Sequence, residues 1–365
     1  MHIADVSHYV QPDTSIDEEA YKRATSIYLV DRTIPMLPEK LCNELCSLRQ
    51  DEDKLCYSTI FEMDDEANVV NKRIVKTVIR SNRRFNYEEA QQIIETGEGD
   101  YKNEILTLDR LAKQLRARRF EAGAVAFDRA EVKFILDDKG KPVDVYFKVA
   151  KDSNQLVEEF MLLANRTVAE TIGTALNKTS KKPKTFVYRV HDQPSSEKLM
   201  NLAGMASRFG HKIPAVGNNK TITQGINKLM KDIHDKPEEN LLSTLAIRSM
   251  AKAIYTTENI GHYGLAFDYY THFTSPIRRY PDTMVHRLLD RYLNQGGRSV
   301  MKVQYEEFCK HCSDMEQTAA QAERASIKYK QAEYLKDRLG EVFMGTVSGV
   351  SEWGFYVVPD DNRCE

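Results

Sequence analysis

Thr271-His272-Phe273-Thr274-Ser275-Pro276-Ile277-Arg278-Arg279-Tyr280-Pro281-Asp282 is the stretch whose reading decides the fold. Ser275 followed by Pro276 reads as a helix cap and first helical position, because proline there lacks only an N–H that would be orphaned anyway. The free amides of such a helix start, with Arg278 and Arg279 in its first turns, form an anion site. Pro281 removes another N–H, which predicts a short or kinked turn before residues 282–289 continue as helix. Upstream, Tyr263, Phe267, Tyr269, Tyr270 and Phe273 gather flat rings near the same spot. Phosphate donors beside stackable aromatics point to a nucleic-acid strand. The competing reading of the same residues is a capped surface helix whose arginines pair with local carboxylates.

The chain of 365 residues has room for a large core and more than one domain. A hydrophobic content of 41% with 29% charged residues is that of an ordinary globular protein. The net charge of −2 leaves no global basic footprint, so RNA would have to enter a local channel. No stretch approaches the ~20 apolar residues of a spanning helix, and the N-terminus has no signal-peptide pattern. Cys42, Cys46, Cys56, Cys309, Cys312 and Cys364 are sparse for this length, which fits a reduced cytoplasmic setting. Cys309 and Cys312 with His311 between them make half a zinc site; no second pair follows, so packed thiols are expected.

Working outward, residues 1–10 read as a strand that opens abruptly, as if a segment preceded it. A helix is expected at 17–24, a strand at 26–30 and a short helix from Pro38 to residue 45. Residues 55–63 and 69–80 alternate as two strands around Asp64-Asp65-Glu66-Ala67, acids that suit a solvated turn better than a metal. Asn86 and Glu89 make a capping box for a helix at 87–96, and 101–119 is a second helix ending in Arg116, Arg118 and Arg119. Strands are expected at 125–128, 132–136 and 143–149, the last two joined by a turn at Asp137-Asp138-Lys139-Gly140. A long helix at 154–177 turns Phe160, Met161, Leu163, Ala164 and Val168 inward. Glu158 and Glu159 border its apolar stripe, and spacing alone does not choose between them. A basic loop at 177–184, a strand at 185–191 and helices at 197–209 (capped by Ser196), 223–231 and 240–255 follow. Residues 303–339 form one amphipathic helix. Strands at 341–347 and 353–358 look like the opening of a small β-barrel, with about 25 residues where a closed five-stranded barrel needs more.

Four blocks, taken together and in order, carry a family resemblance. They are His2-Ile3-Ala4-Asp5-Val6-Ser7-His8-Tyr9-Val10, Ile34-Pro35-Met36-Leu37-Pro38-Glu39, Val157-Glu158-Glu159-Phe160-Met161-Leu162-Leu163-Ala164-Asn165, and the segment from His272 to Asp282. They resemble the ribonuclease R / ribonuclease II (RNB) family over residues 1–339. The resemblance implies an α/β (α+β) catalytic domain at 1–339, its curved sheet wrapped by helices around a narrow channel. Residues 340–365 would begin an OB-fold RNA-binding domain. It further implies a 3′→5′ processive hydrolytic exoribonuclease that degrades single-stranded RNA to 5′-nucleoside monophosphates with Mg2+, cytoplasmic and monomeric.

Residue by residue, Tyr28 matches the tyrosine that stacks on a base and sets the size of the final product. Phe127 matches the phenylalanine that clamps the other side of the stacked bases. Glu159 matches the glutamate that contacts the 3′-terminal nucleotide, and Arg278 the arginine that stabilises charge on the scissile phosphate. Ser275 and Arg279 join the RNA-binding set from the anion-site reading. One departure stands out. The family's metal-binding aspartates form an acidic run just upstream of the strand that begins here at Met1. Asp13, Asp17, Asp64 and Asp65 fall in the wrong places to replace it, and Asp5 belongs to the neighbouring motif. No residue of this chain is therefore assigned as a metal ligand. A piece cut at both ends, with little activity alone, is expected. The alternative is an inactive RNA-binding module of the same fold; a scaffold without an RNA role would make the ordered blocks coincidence.

Overall fold

Residues 53–63 and 69–80 alternate in side-chain character, and they pair antiparallel along their whole length, with Asp53 opposite Arg80 and Glu62 opposite Asn71. His2–Ala4 lies along the other edge of Asp53–Met63, with Ile3 opposite Tyr57. Tyr57, Ser58 and Thr59 on the central strand are fully buried, whereas Val70 and Val78 on the edge strand face water. The turn at 64–68 is built as expected. Asp64 accepts from the backbone N–H of Asn68 at 2.7 Å and from its side-chain amide at 2.8 Å. The computed structural model of the chain describes residues 1–126, 131–175 and 184–359. The expected clamp at Phe127 and most of the basic loop at 177–184 lie outside those residues.

The fold is α+β, with helices flanking this sheet. Tyr87–Thr96 begins with both halves of the Asn86/Glu89 capping box, and Lys102–Ala122 follows. Asp152–Glu170 runs on into a wider π-helical turn at Thr171–Ala175. Lys302–Lys336 is the long outer helix. The main core gathers Val6, Leu37, Tyr57, Val168, Phe273 and Leu288. Cys309 and Cys312 sit in it as packed thiols, pushed up by burial. Three helices, Ser196–Arg208, Asn219–Asp232 and Glu239–Ser249, enclose a second core of their own around Leu202, Ile226 and Leu242. None of the helices among the described residues is long and apolar enough to cross a membrane.

Several expected elements change where a distant partner intervenes. The strand at 1–10 ends at Ala4: the Asp5 N–H makes a last in-register bond to the Leu55 carbonyl, and residues 6–9 then coil into a helical turn. The helix expected to reach Tyr255 stops at Ser249, and Ile254–Thr256 becomes a strand against Tyr188–Val190. The short helix after Pro38 is a π turn, Lys40–Leu45. In the first helix of the second core, Ser195, not Ser196, occupies the cap position of Ser196–Arg208, and its side chain makes no capping bond. The terminal strands are Gly345–Ser351 and Gly354–Pro359, a two-stranded hairpin with no closed barrel among the described residues.

Two histidines lock the loop that leads to the site. The Ala251 carbonyl can only accept, so His191 Nε2 donates to it at 2.9 Å and its Nδ1 accepts the Gly264 N–H, also at 2.9 Å. Gly264 has to be glycine, since a Cβ there would lie 2.8 Å from His191 Nδ1. His262 Nδ1 accepts from the Leu265 N–H at 3.2 Å. Burial, with His191 and Arg189 adding to it, pushes His262 from 6.5 down to about 3. The unfolded chain therefore binds more protons between those two values. The stabilisation is complete above pH 6.5 and is lost as the pH falls toward 3. Denaturation midpoints recorded from pH 7.5 down to pH 4 should fall less steeply for His262→Gln than for the wild type; equal slopes would remove His262 as a source of the acid sensitivity.

Candidate nucleic-acid interface

The arginine loop is not a helix start at Ser275. Its amide is claimed by Asp282, whose Oδ1 accepts it at 2.6 Å, and the helix begins five residues later as Tyr280–Leu289 with Pro281 in its first turn. Between them the chain makes a tight turn in which the Ser275 carbonyl accepts the N–H groups of Arg278 (3.2 Å) and Arg279 (3.1 Å). Two helices and the segment at 24–26 hold the turn in place. Asn165 Oδ1, on the Asp152–Glu170 helix, accepts the Phe273 N–H at 2.9 Å, and His286 Nε2 donates to the Phe273 carbonyl at 2.8 Å. Thr283 Oγ1 donates to the Pro276 carbonyl at 3.2 Å. From the opposite side, the Ser26 N–H donates to the Arg278 carbonyl at 3.0 Å, and the Tyr280 N–H to Ala24 at 2.8 Å.

The same bond from Ser26 brings Tyr28 to the loop. Ile27–Tyr28 pairs with Thr33–Ile34, and the Tyr28 N–H donates to Glu323 of the long outer helix at 2.9 Å. These bonds fix the backbone and leave the ring 46% exposed. Tyr28, Ser275 and Arg278 line one cleft of ≈ 640 Å³, together with Ile3, Met161 and others. Arg278 reaches Ser275 Oγ through Nη2 at 3.3 Å, and among the described residues no carboxylate pairs with it. Arg279 differs. Its Nε and Nη2 donate to Asp282 Oδ2 and Oδ1, both at 2.8 Å. Burial opposes the charge on Arg279, but the Asp282 carboxylate outweighs it and holds its pKa above the ordinary value. Both readings of the two arginines therefore apply, one to each residue.

The expected crowd of rings disperses. Phe273 and Tyr270 are core residues, the Phe273 ring 4.5 Å from that of His286 and the Tyr270 hydroxyl accepting a hydrogen bond from Asn165 Nδ2 at 3.2 Å. Tyr263 and Phe267 line a separate cleft of ≈ 510 Å³ with His191, His262 and Lys220. Sequence pattern placed these rings near Arg278; none of them lines the cleft that holds it.

Glu159 is the acid that turns inward, 3% exposed, while Glu158 stays at the rim. Its carboxylate is gripped by Arg119, through a short bond from Nη2 and one of 3.3 Å from Nε, and Arg116 Nη1 lies 3.6 Å away. Glu159 does not line the ≈ 640 Å³ cleft, although Met161, two residues on, does. Asp282, Asn165 and His286 are the residues that sequence reading missed. The one available signal was an acid three positions after Arg279, within the first turn of a helix.

These are the features of an α+β fold that presents an exposed ring and an unpaired guanidinium to one cleft. The family model described as the RNB domain matches residues 1–295, and the chain belongs to that family. Ribonuclease R 2 of Lactococcus lactis is 37% identical over 374 residues, covering 99% of this chain and 54% of that protein. The solved structure titled RNase R of Mycoplasma genitalium in complex with ribose-methylated single-stranded RNA is 28% identical with a TM-score of 0.90, covering 99% of this chain and 57% of its own. Yeast Ssd1, titled a pseudonuclease, shares the fold at 22% identity and a TM-score of 0.76, covering 98% of this chain and 44% of its own. The chain spans about half the length of the curated relatives it matches.

A hydrolytic magnesium centre draws on several carboxylate oxygens in octahedral geometry. Among the described residues, Glu39 is the one carboxylate lining the cleft, and that does not fit such a centre. The group of His234, Asp235 and Glu239 lies on an exposed loop between two helices of the second core.

The Glu159–Arg119 pair sets a testable expectation. Truncating one partner of a buried pair leaves the other charge without compensation, at a cost of about 3–5 kcal/mol. Glu159→Ala should lose that much in a denaturant titration before any RNA is added. A loss below about 1 kcal/mol would show that Arg119 finds water or another acceptor.

Proposed function

We propose that the protein carrying this chain is a 3′→5′ exoribonuclease that degrades single-stranded RNA to 5′-nucleoside monophosphates. The observation that carries this reading is the shared cleft, with the exposed Tyr28 ring and the unpaired Arg278 guanidinium tied together through the Ser26–Arg278 hydrogen bond. Tyr28 stacks on a base, a sequence-tolerant contact of ~1–3 kcal/mol. Arg278 stabilises the charge that develops on the scissile phosphate, and Ser275 Oγ steadies its guanidinium. Arg279 belongs to the RNA-binding set through the loop that its fork on Asp282 holds in place. Phe127 clamps the far side of the stacked bases, and Glu159 marks the place of the 3′-terminal nucleotide. Mg2+ is the ion we assign to the whole enzyme. Residues 1–339 are its catalytic domain, and the hairpin with exposed Phe355 and Tyr356 opens an OB-type RNA-binding domain. We also assign it a monomeric state and a cytoplasmic location.

A second reading is favoured by the single carboxylate in the cleft: this chain alone holds RNA without cutting it. Incubation with 5′-labelled single-stranded RNA and Mg2+ separates the two, weak binding without cleavage being the expected result for the chain alone.

In the whole protein, Arg278→Ala should lower turnover by about 10²-fold while RNA affinity changes by only a few fold, because its contact strengthens as charge develops. Equal losses in both would make it a binding residue. Tyr28→Ala should lengthen the smallest end product on a sequencing gel; an unchanged ladder would return Tyr28 to a structural role.

A further inference from the structure

We infer that Asp282 is the positioning residue for Arg278, and that Arg279 serves as its counter-ion. This inference rests on the proposed role of Arg278. Asp282 is wholly buried and does not line the cleft, so it has no direct access to a strand lying there. Its two oxygens receive three donors: the Ser275 N–H at 2.6 Å and the two arms of Arg279 at 2.8 Å each. Those donors bracket Arg278 on both sides along the chain. Ser275 in turn accepts the Arg278 N–H through its carbonyl and the Arg278 guanidinium through its hydroxyl. One carboxylate thus closes the turn whose apex carries the unpaired guanidinium.

The chemistry gives a reason for the arrangement. A guanidinium aimed at developing charge contributes most when it needs no reorganisation at the moment of reaction. Arg278 has four rotatable side-chain bonds and no carboxylate partner among the described residues, so its placement depends on the backbone that carries it. Asp282 fixes that backbone from within the core. A lysine at 279 would keep the charge and lose the two-pronged grip.

Two measurements test this on the full chain and on the whole protein. Amide hydrogen exchange comes first, since it needs no RNA. In Asp282→Asn, exchange across residues 274–279 should rise by about 10-fold or more while the 53–63 strand keeps its protection. Unchanged protection at 274–279 overturns the inference. The second is a double-mutant cycle with 5′-labelled single-stranded RNA. Asp282→Asn should lower turnover by about 10–100-fold with affinity within about threefold, and should add less than about threefold in an Arg278→Ala background. Independent, multiplying losses would show that Asp282 acts elsewhere and overturn the inference. Arg279→Lys carries the same cycle if Asp282→Asn gives no cooperative melt. Should the wild-type protein cleave no RNA, the exoribonuclease reading falls, and the exchange measurement still decides the role of Asp282.

Discussion

A carboxylate buried beneath a turn of backbone is the constraint on which the cleft depends. Taking the Asp282 charge out of water is unfavourable by several kcal/mol, and only close, multiple donors offset that. The donors available are a main-chain amide and a planar guanidinium, both of which dictate direction as well as distance. Desolvation is thereby converted into geometry. The helix bearing Asp282 is itself tied on another face. Tyr280 donates its hydroxyl to Asp17 at 2.9 Å, and Arg287 Nη2 donates to the same oxygen at 2.7 Å. The Tyr280–Leu289 helix therefore cannot tilt without breaking buried polar contacts on two sides, and the turn above it inherits that rigidity.

The Asp152–Glu170 helix extends the same logic across the domain. Glu159 binds it to the end of Lys102–Ala122 through Arg119, and Asn165 binds it to the arginine loop through the Phe273 amide. Met161, between the two, faces the cleft. One straight element thus relates the chain segment that leads toward Phe127 to the loop that carries Arg278. Its apolar stripe supplies the packing, while the two polar side chains set its rotation and register.

What could be read from the sequence follows from where each partner lies. The hairpin at 53–80, the Asn86/Glu89 box and the long outer helix depend on neighbours close in the chain, and periodicity or capping chemistry states them directly. Ile254–Thr256 was invisible as a strand because its partner, Tyr188–Val190, lies far upstream. Ser275-Pro276 obeys the local rule for a helix start, yet the amide such a helix would leave free is taken by Asp282. Glu159 turns inward onto Arg119, forty residues earlier, which also reaches Glu158 at the rim, and no spacing states that contact. The family blocks located Tyr28 and Arg278 in one cleft; the supports behind them are tertiary contacts that no spacing encodes.

Under the proposed function, the distribution of charge accounts for how a chain of net charge −2 would hold a polyanion. Arg119, Arg189, Arg279 and Arg287 are each committed to a carboxylate, so they stabilise the fold and add little net field. Arg278 stands apart, exposed to the cleft with only a hydroxyl beside it among the described residues. A strand that advances nucleotide by nucleotide has to be released as often as it is gripped, and a groove lined with unpaired arginines would hold it too tightly to move. One guanidinium with one flat ring gives a grip that every base can satisfy. Among the described residues Arg278 is the one arginine lining the cleft, and under the proposed function it is free to act on the phosphate.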